Sequence, residues 1–153
     1  MNVHRRFMGS TAAHALLRVS IGYLLVIWGV DKLINPGHGV AVSKRFYFDL
    51  FGVPGWMTVF GVAEALLGVL IIAGLWRRYT YLMAAAITGV TLVGVWRSIL
   101  DPWGWYLTGT NALFYPSFII FAAVLVLLAD DRGGASSGGH ERQRAGIVSN
   151  DRA

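Results

Sequence analysis

Four stretches of the chain read as continuous apolar runs, each bounded by charge, proline or glycine. A helix that crosses a membrane needs about 20 mostly apolar residues, and these runs are of that order. The first covers residues 13–33 and stops at Asn35-Pro36-Gly37, since a proline just past its end cannot continue a helix. The second covers 56–76, after Pro54-Gly55, and closes at Arg77-Arg78. The third covers 79–100 and ends at Asp101-Pro102. The fourth, 112–129, is the shortest; it ends at Asp130-Asp131, and Pro116 near its start is expected to bend it. Short connections between the second, third and fourth runs predict antiparallel neighbours. The pattern predicts an all-α protein, an integral membrane four-helix bundle spanning residues 13–129.

Three segments lie outside the runs. Residues 1–12 form a basic leader; the apolar run behind it is too long for a signal-peptide core, so the first helix is expected to stay. Residues 37–55 carry Lys44-Arg45 and the aromatics Phe46, Tyr47, Phe48 and Phe51. A short helix lying in the membrane interface and a plain loop with anchoring aromatics both fit that pattern. Residues 130–153 are rich in Gly, Ser and mixed charge, cannot bury a core, and are expected to be a disordered tail.

Charge sets the expected orientation. Arg5, Arg6, Arg77, Arg78, Arg132, Arg142 and Arg144 fall on one side of the spans; Lys32, Lys44, Arg45 and Arg97 fall on the other. The richer side is expected to be cytoplasmic, with both termini there and the Trp-rich third connection facing outward. The expected location is the inner (cytoplasmic) membrane. Composition agrees: 56% of residues are apolar and only 14% charged, against about 25% charged in a soluble domain. The net charge of +5 is scattered at the ends of the runs, which argues for topology-setting charge and against a nucleic-acid partner. The absence of cysteine excludes thiolate nucleophiles, disulfide relays and iron–sulfur clusters. His4, His14, His38 and His140 share no embedded face, so neither a metal site nor a bis-histidine haem is expected, and His14 reads as an interfacial residue.

An ionisable side chain inside hydrocarbon costs several kcal/mol and is a functional hypothesis by default. Glu64 is the strongest case. It lies eight residues after Trp56, roughly 12 Å into the membrane, and shares a helix face with Gly61 and Gly68. Small residues on that face admit a neighbouring helix, and the carboxylate needs a cation, a donor or a proton. The first helix offers cations: Arg18, Gly22, Leu25, Gly29 and Lys32 form one stripe. Arg18 and Lys32 bracket the depth of Glu64, each roughly 10 Å away along the axis. Either can reach inward to Glu64 or snorkel to its own membrane surface. At the outer end stand Asp31, Arg97 and Asp101 with Trp28, Trp96, Trp103, Trp105, Tyr106 and Tyr115. They suit an aromatic-walled pocket floored by Glu64 that would take a flat, partly polar ring such as a quinone; they equally suit an aromatic belt with edge salt bridges.

Leu16-Leu17-Arg18-x-x-x-Gly22 followed by Trp28-Gly29-x-x-Lys32-Leu33, then Glu64-x-x-x-Gly68-x-x-x-x-x-Gly74-Leu75-x-Arg77, resembles the first two helices of DoxX-type membrane proteins. The resemblance runs over residues 13–129 and implies a four-helix inner-membrane protein. Some members of that group are the membrane subunit of a thiosulfate:quinone oxidoreductase; others belong to oxidative-stress complexes or have no assigned role. Arg18, Gly29, Lys32, Glu64 and Gly68 are the positions that carry over, without catalytic roles attached. The loop Trp103-Gly104-Trp105-Tyr106 and the Ser/Gly tail depart from the pattern. Two functions follow as expectations. One is a quinone-linked oxidoreductase subunit, with quinone as its non-covalent ligand and Glu64 carrying protons. The other is a non-enzymatic accessory, scaffold or assembly subunit. The lipid bilayer is a partner in both, joined by a protein partner or a second copy of the chain.

Overall fold

The structure, a computed structural model, describes residues 3–46 and 53–131. Every regular element among them is helical: α1 (Val3–Ile34), α2 (Pro36–Phe46), α3 (Pro54–Ala73), α4 (Arg77–Gly94), α5 (Trp96–Leu100), a 3₁₀ turn (Ala112–Phe114) and α6 (116–131). Among the described residues, three segments are long and apolar enough to cross a membrane: Thr11–Ile34, Gly55–Ala73 and Ala112–Asp131. The stretch 79–100, read as a single third span, is instead α4 and α5 with a break at Val95. The reason lies in its threonines. Thr88 and Thr91 turn their hydroxyls back on the carbonyls of Ala84 and Ile87, at 2.7 and 3.0 Å. Such back-bonding bends helices, and Gly94 gives the turn no support.

Helix ends follow local chemistry. α1 stops before Pro36, and its start at Val3 makes much of the basic leader continuous with the first span. α3 ends at Ala73, short of Trp76, because Gly74 takes the left-handed conformation at φ 70°. The amides of Gly74 and Leu75 donate to Ile71 O and Leu70 O, each at 3.0 Å, the paired bonds of a Schellman cap. Of the interfacial segment, residues 36–46 form α2; Tyr47, Phe48 and Phe51 lie outside the described residues, as does the tail from Arg132. α2 folds onto the ends of α1 and α3. A Cβ on Gly39 would stand 2.8 Å from Met57 Sδ, and Ser43 is buried.

One core draws on four helices: Ile21 and Leu25 from α1, Leu67 and Ile71 from α3, Tyr81 and Ala84 from α4, and Val124, Leu127 and Leu128 from α6. Much of the apolar surface points outward instead; Leu16, Val69, Val93 and Ile119 are all more than half exposed. That distribution suits lipid as the surrounding solvent.

The Trp-rich loop is held by one carboxylate. Asp101 accepts the backbone N–H groups of Trp105, Tyr106 and Leu107 at 3.0, 2.7 and 2.7 Å. Burial alone would raise its pKa, but these donors outweigh burial and hold the carboxyl below its ordinary range. A depressed folded pKa means the contribution is complete above the ordinary carboxylate range and is lost as pH falls through the folded value. Below about pH 4, the ordinary range, the loop is therefore expected to loosen, and Trp103 and Trp105 fluorescence should shift. Asp101→Asn should show the loosened signal already at neutral pH.

Candidate functional site

α1 and α3 run antiparallel and cross on glycine. A Cβ on Gly29 would fall 2.6 Å from Gly61 O, and one on Gly61 would fall 2.8 Å from Gly29 O. At the other crossing a Cβ on Gly22 would lie 2.7 Å from Gly68 O. Only glycine permits this approach, so the two helices touch backbone to backbone.

Between the crossings sits Glu64, 5% exposed. Lys32 Nζ donates to Glu64 Oε2 at 2.5 Å and to Trp28 O at 3.3 Å. The direction of both side chains explains why this cation was chosen. In a helix each Cα–Cβ bond leans toward the N-terminus. Lys32 therefore reaches back down α1, and Glu64 reaches back down α3; because the helices are antiparallel, the two reaches converge. Arg18 leans away from Glu64 by the same rule. Its guanidinium lies at the far end of α3, where Nη1 would be 2.7 Å from a Cβ on Gly74, and it stands near Tyr81. There it faces the negative end of the α3 dipole. Glu64 Oε1 has no hydrogen-bond partner among the described residues.

The remaining candidates stay apart from the pair. Asp31 is engaged by His38 Nδ1 at 2.7 Å and by Asn35 Nδ2 at 3.3 Å. Arg97 lies over the Trp96 ring, 5.6 Å from its centroid, and forms no ion pair with Asp101 among the described residues. Trp28 packs against the core, whereas Trp96, Tyr115, Trp103 and Trp105 are exposed. Trp103 and Trp105 stack on each other, centroids 5.3 Å apart. Two contacts escaped the reading of the sequence. His38–Asp31 spans a seven-residue separation across Pro36, so helical spacing gave no hint of it. His14 Nε2 meets Asp130 Oδ2 at 2.5 Å, joining the start of the apolar span within α1 to the end of α6. An even number of antiparallel spans was the one available signal for that contact.

A sequence model of the DoxX family matches residues 13–97. That stretch is more than half the chain and contains both glycine crossings, Lys32 and Glu64. The chain belongs to the DoxX family. The DoxX match ends at Arg97, so the Trp-rich loop and α6 lie beyond it. No curated protein and no solved structure matches the chain.

Proposed function

We propose that this DoxX-family chain is a quinone-facing membrane subunit of an oxidoreductase, in which Glu64 carries a proton. The observation behind this reading is the Lys32–Glu64 pair, two ionisable groups inside an apolar helix crossing, with Glu64 Oε1 unpaired among the described residues. Buried pairs of this kind are costly to keep, and intramembrane carboxylates mark proton and substrate paths. Lys32 stabilises the carboxylate between turnovers. Oε1 would be the atom that takes a proton from a quinol, or gives one to a reduced quinone. A bound quinone would supply the redox chemistry, and a partner subunit the electrons.

The same proposal gives the chain four spans in the inner membrane with both ends in the cytoplasm. The His14–Asp130 contact supports it, because it sets the end of α6 beside the start of the apolar span within α1. Arg77 and Arg78, at the start of α4, supply basic charge at that end. α4 with α5 provides the remaining crossing, its threonine hydroxyls satisfied by the helix itself.

A second reading is favoured by the same ion pair in another role. Lys32–Glu64 also ties α1 to α3, which is all that an accessory or assembly subunit requires. Purification from native membrane in mild detergent, with mass spectrometry of every retained quinone and protein, separates the two. The expected result is stoichiometric quinone that is lost from Glu64→Gln while the variant still inserts. Partner proteins without quinone would transfer the chain to the accessory class.

A further inference from the structure

The end of the bundle opposite Lys32–Glu64 carries a second polar cluster with an unmet donor. Arg18 Nε is buried and has no hydrogen-bond partner among the described residues. A buried donor left unpaired costs about 1–3 kcal/mol, so it calls for a partner beyond the described residues. Beside it, Arg77 donates from Nε to Gly74 O at 3.3 Å, and its terminal nitrogens have no partner among the described residues. Arg78 adds a third guanidinium to the same turn. Two carboxylates approach this end. Asp130 is occupied by His14 at 2.5 Å, and Asp131 lies near Tyr81. The cluster is thus left with net positive charge. Tyr81, buried in the core, stands beside the Arg18 guanidinium.

We propose that Arg18 and Arg77 form a binding site for the phosphate of an anionic phospholipid. Guanidinium groups match phosphate oxygens with paired, charge-assisted hydrogen bonds. Basic pockets between membrane helices are known to take such head groups. The surroundings favour a lipid over a dissolved anion. Trp76 and Tyr79, in the same turn as the arginines, are 74% and 69% exposed, which sets the cluster at the depth where aromatic side chains meet lipid head groups. Gly74 keeps the turn open: a Cβ there would press on Arg18. The site does not depend on the quinone reading.

The test uses the full chain in a neutral detergent. Thermal unfolding is followed with added short-chain phosphatidylglycerol, phosphatidylcholine or inorganic phosphate, and native mass spectrometry counts the retained lipid. Phosphatidylglycerol should raise the unfolding temperature and stay bound; the other two should not. Arg18→Lys keeps the charge but loses the Nε donor, and Arg77→Gln removes an exposed guanidinium. Each should weaken the phosphatidylglycerol effect about tenfold, the worth of one charge-assisted contact. If Arg18→Lys does not fold, Arg77→Gln decides. Equal effects of the two lipids, an equal effect of inorganic phosphate, or unchanged binding in Arg77→Gln would each overturn the proposal.

Discussion

Glu64→Leu should destabilise the folded chain by about 3 kcal/mol, and Lys32→Met should cost about as much, because each leaves the other group without its partner in an apolar setting. The double variant should recover most of that loss. Glu64 is 7% exposed at its side chain and Lys32 28%, so neither substitution can be repaired by water alone. The lysine has the easier escape: its stem can swing toward the nearby membrane surface, which should make Glu64→Leu the milder of the two. The measurement is reversible unfolding of all four proteins in mixed micelles, read as a double-mutant cycle. A coupling near zero would mean that the pair contributes nothing net, and the proton-carrying role would lose its structural basis.

Gly68→Leu should be more damaging still. A Cβ at residue 68 would meet the backbone of α1, with Val26 N at 2.8 Å and Gly22 O closer. Backbone cannot move aside as a flexible side chain can, so the helices must separate. Overpacking of a tight core costs about 1–3 kcal/mol, and here the separation would also pull Lys32 from Glu64. A loss of about 4 kcal/mol or more is expected from the two effects together. Gly55 is the internal control. It lies in the same helix with nothing within 4 Å of its Cβ position. Gly55→Ala should be neutral or slightly stabilising, since alanine is the better helix former by about 1 kcal/mol. Similar unfolding curves for the two variants would show that the crossing is not held by glycine contact.

Much of this arrangement is legible in the amino-acid sequence. The runs that become α1, α3 and α6 stand out because hydrocarbon demands an unbroken apolar stretch, a property of the chain in one dimension. Glu64 stands out because it interrupts such a stretch, and the Gly61/Gly68 and Gly22/Gly29 spacings mark the two faces that meet. The third run was harder. Its threonines bond their own helix and divide 79–100 at Val95, a choice that composition does not reveal. Asp101 was read as part of a charged rim, yet it organises backbone amides, which have no sequence identity to recognise.

The choice between Arg18 and Lys32 shows where the division falls. Both lie on one stripe of α1 at similar axial distance from Glu64, so spacing treats them alike. The antiparallel crossing does not: side chains lean toward their own helix N-termini, which brings Lys32 to Glu64 and sends Arg18 to Tyr81 and the end of α3. By itself the sequence determined the membrane class, the helical runs, the glycine faces and the carboxylate that needs a partner, because each depends on composition and period along one chain. Only the tertiary structure decided which cation answers that carboxylate, which histidines meet aspartates and what Asp101 holds, because these depend on the rotation and direction of one helix against another.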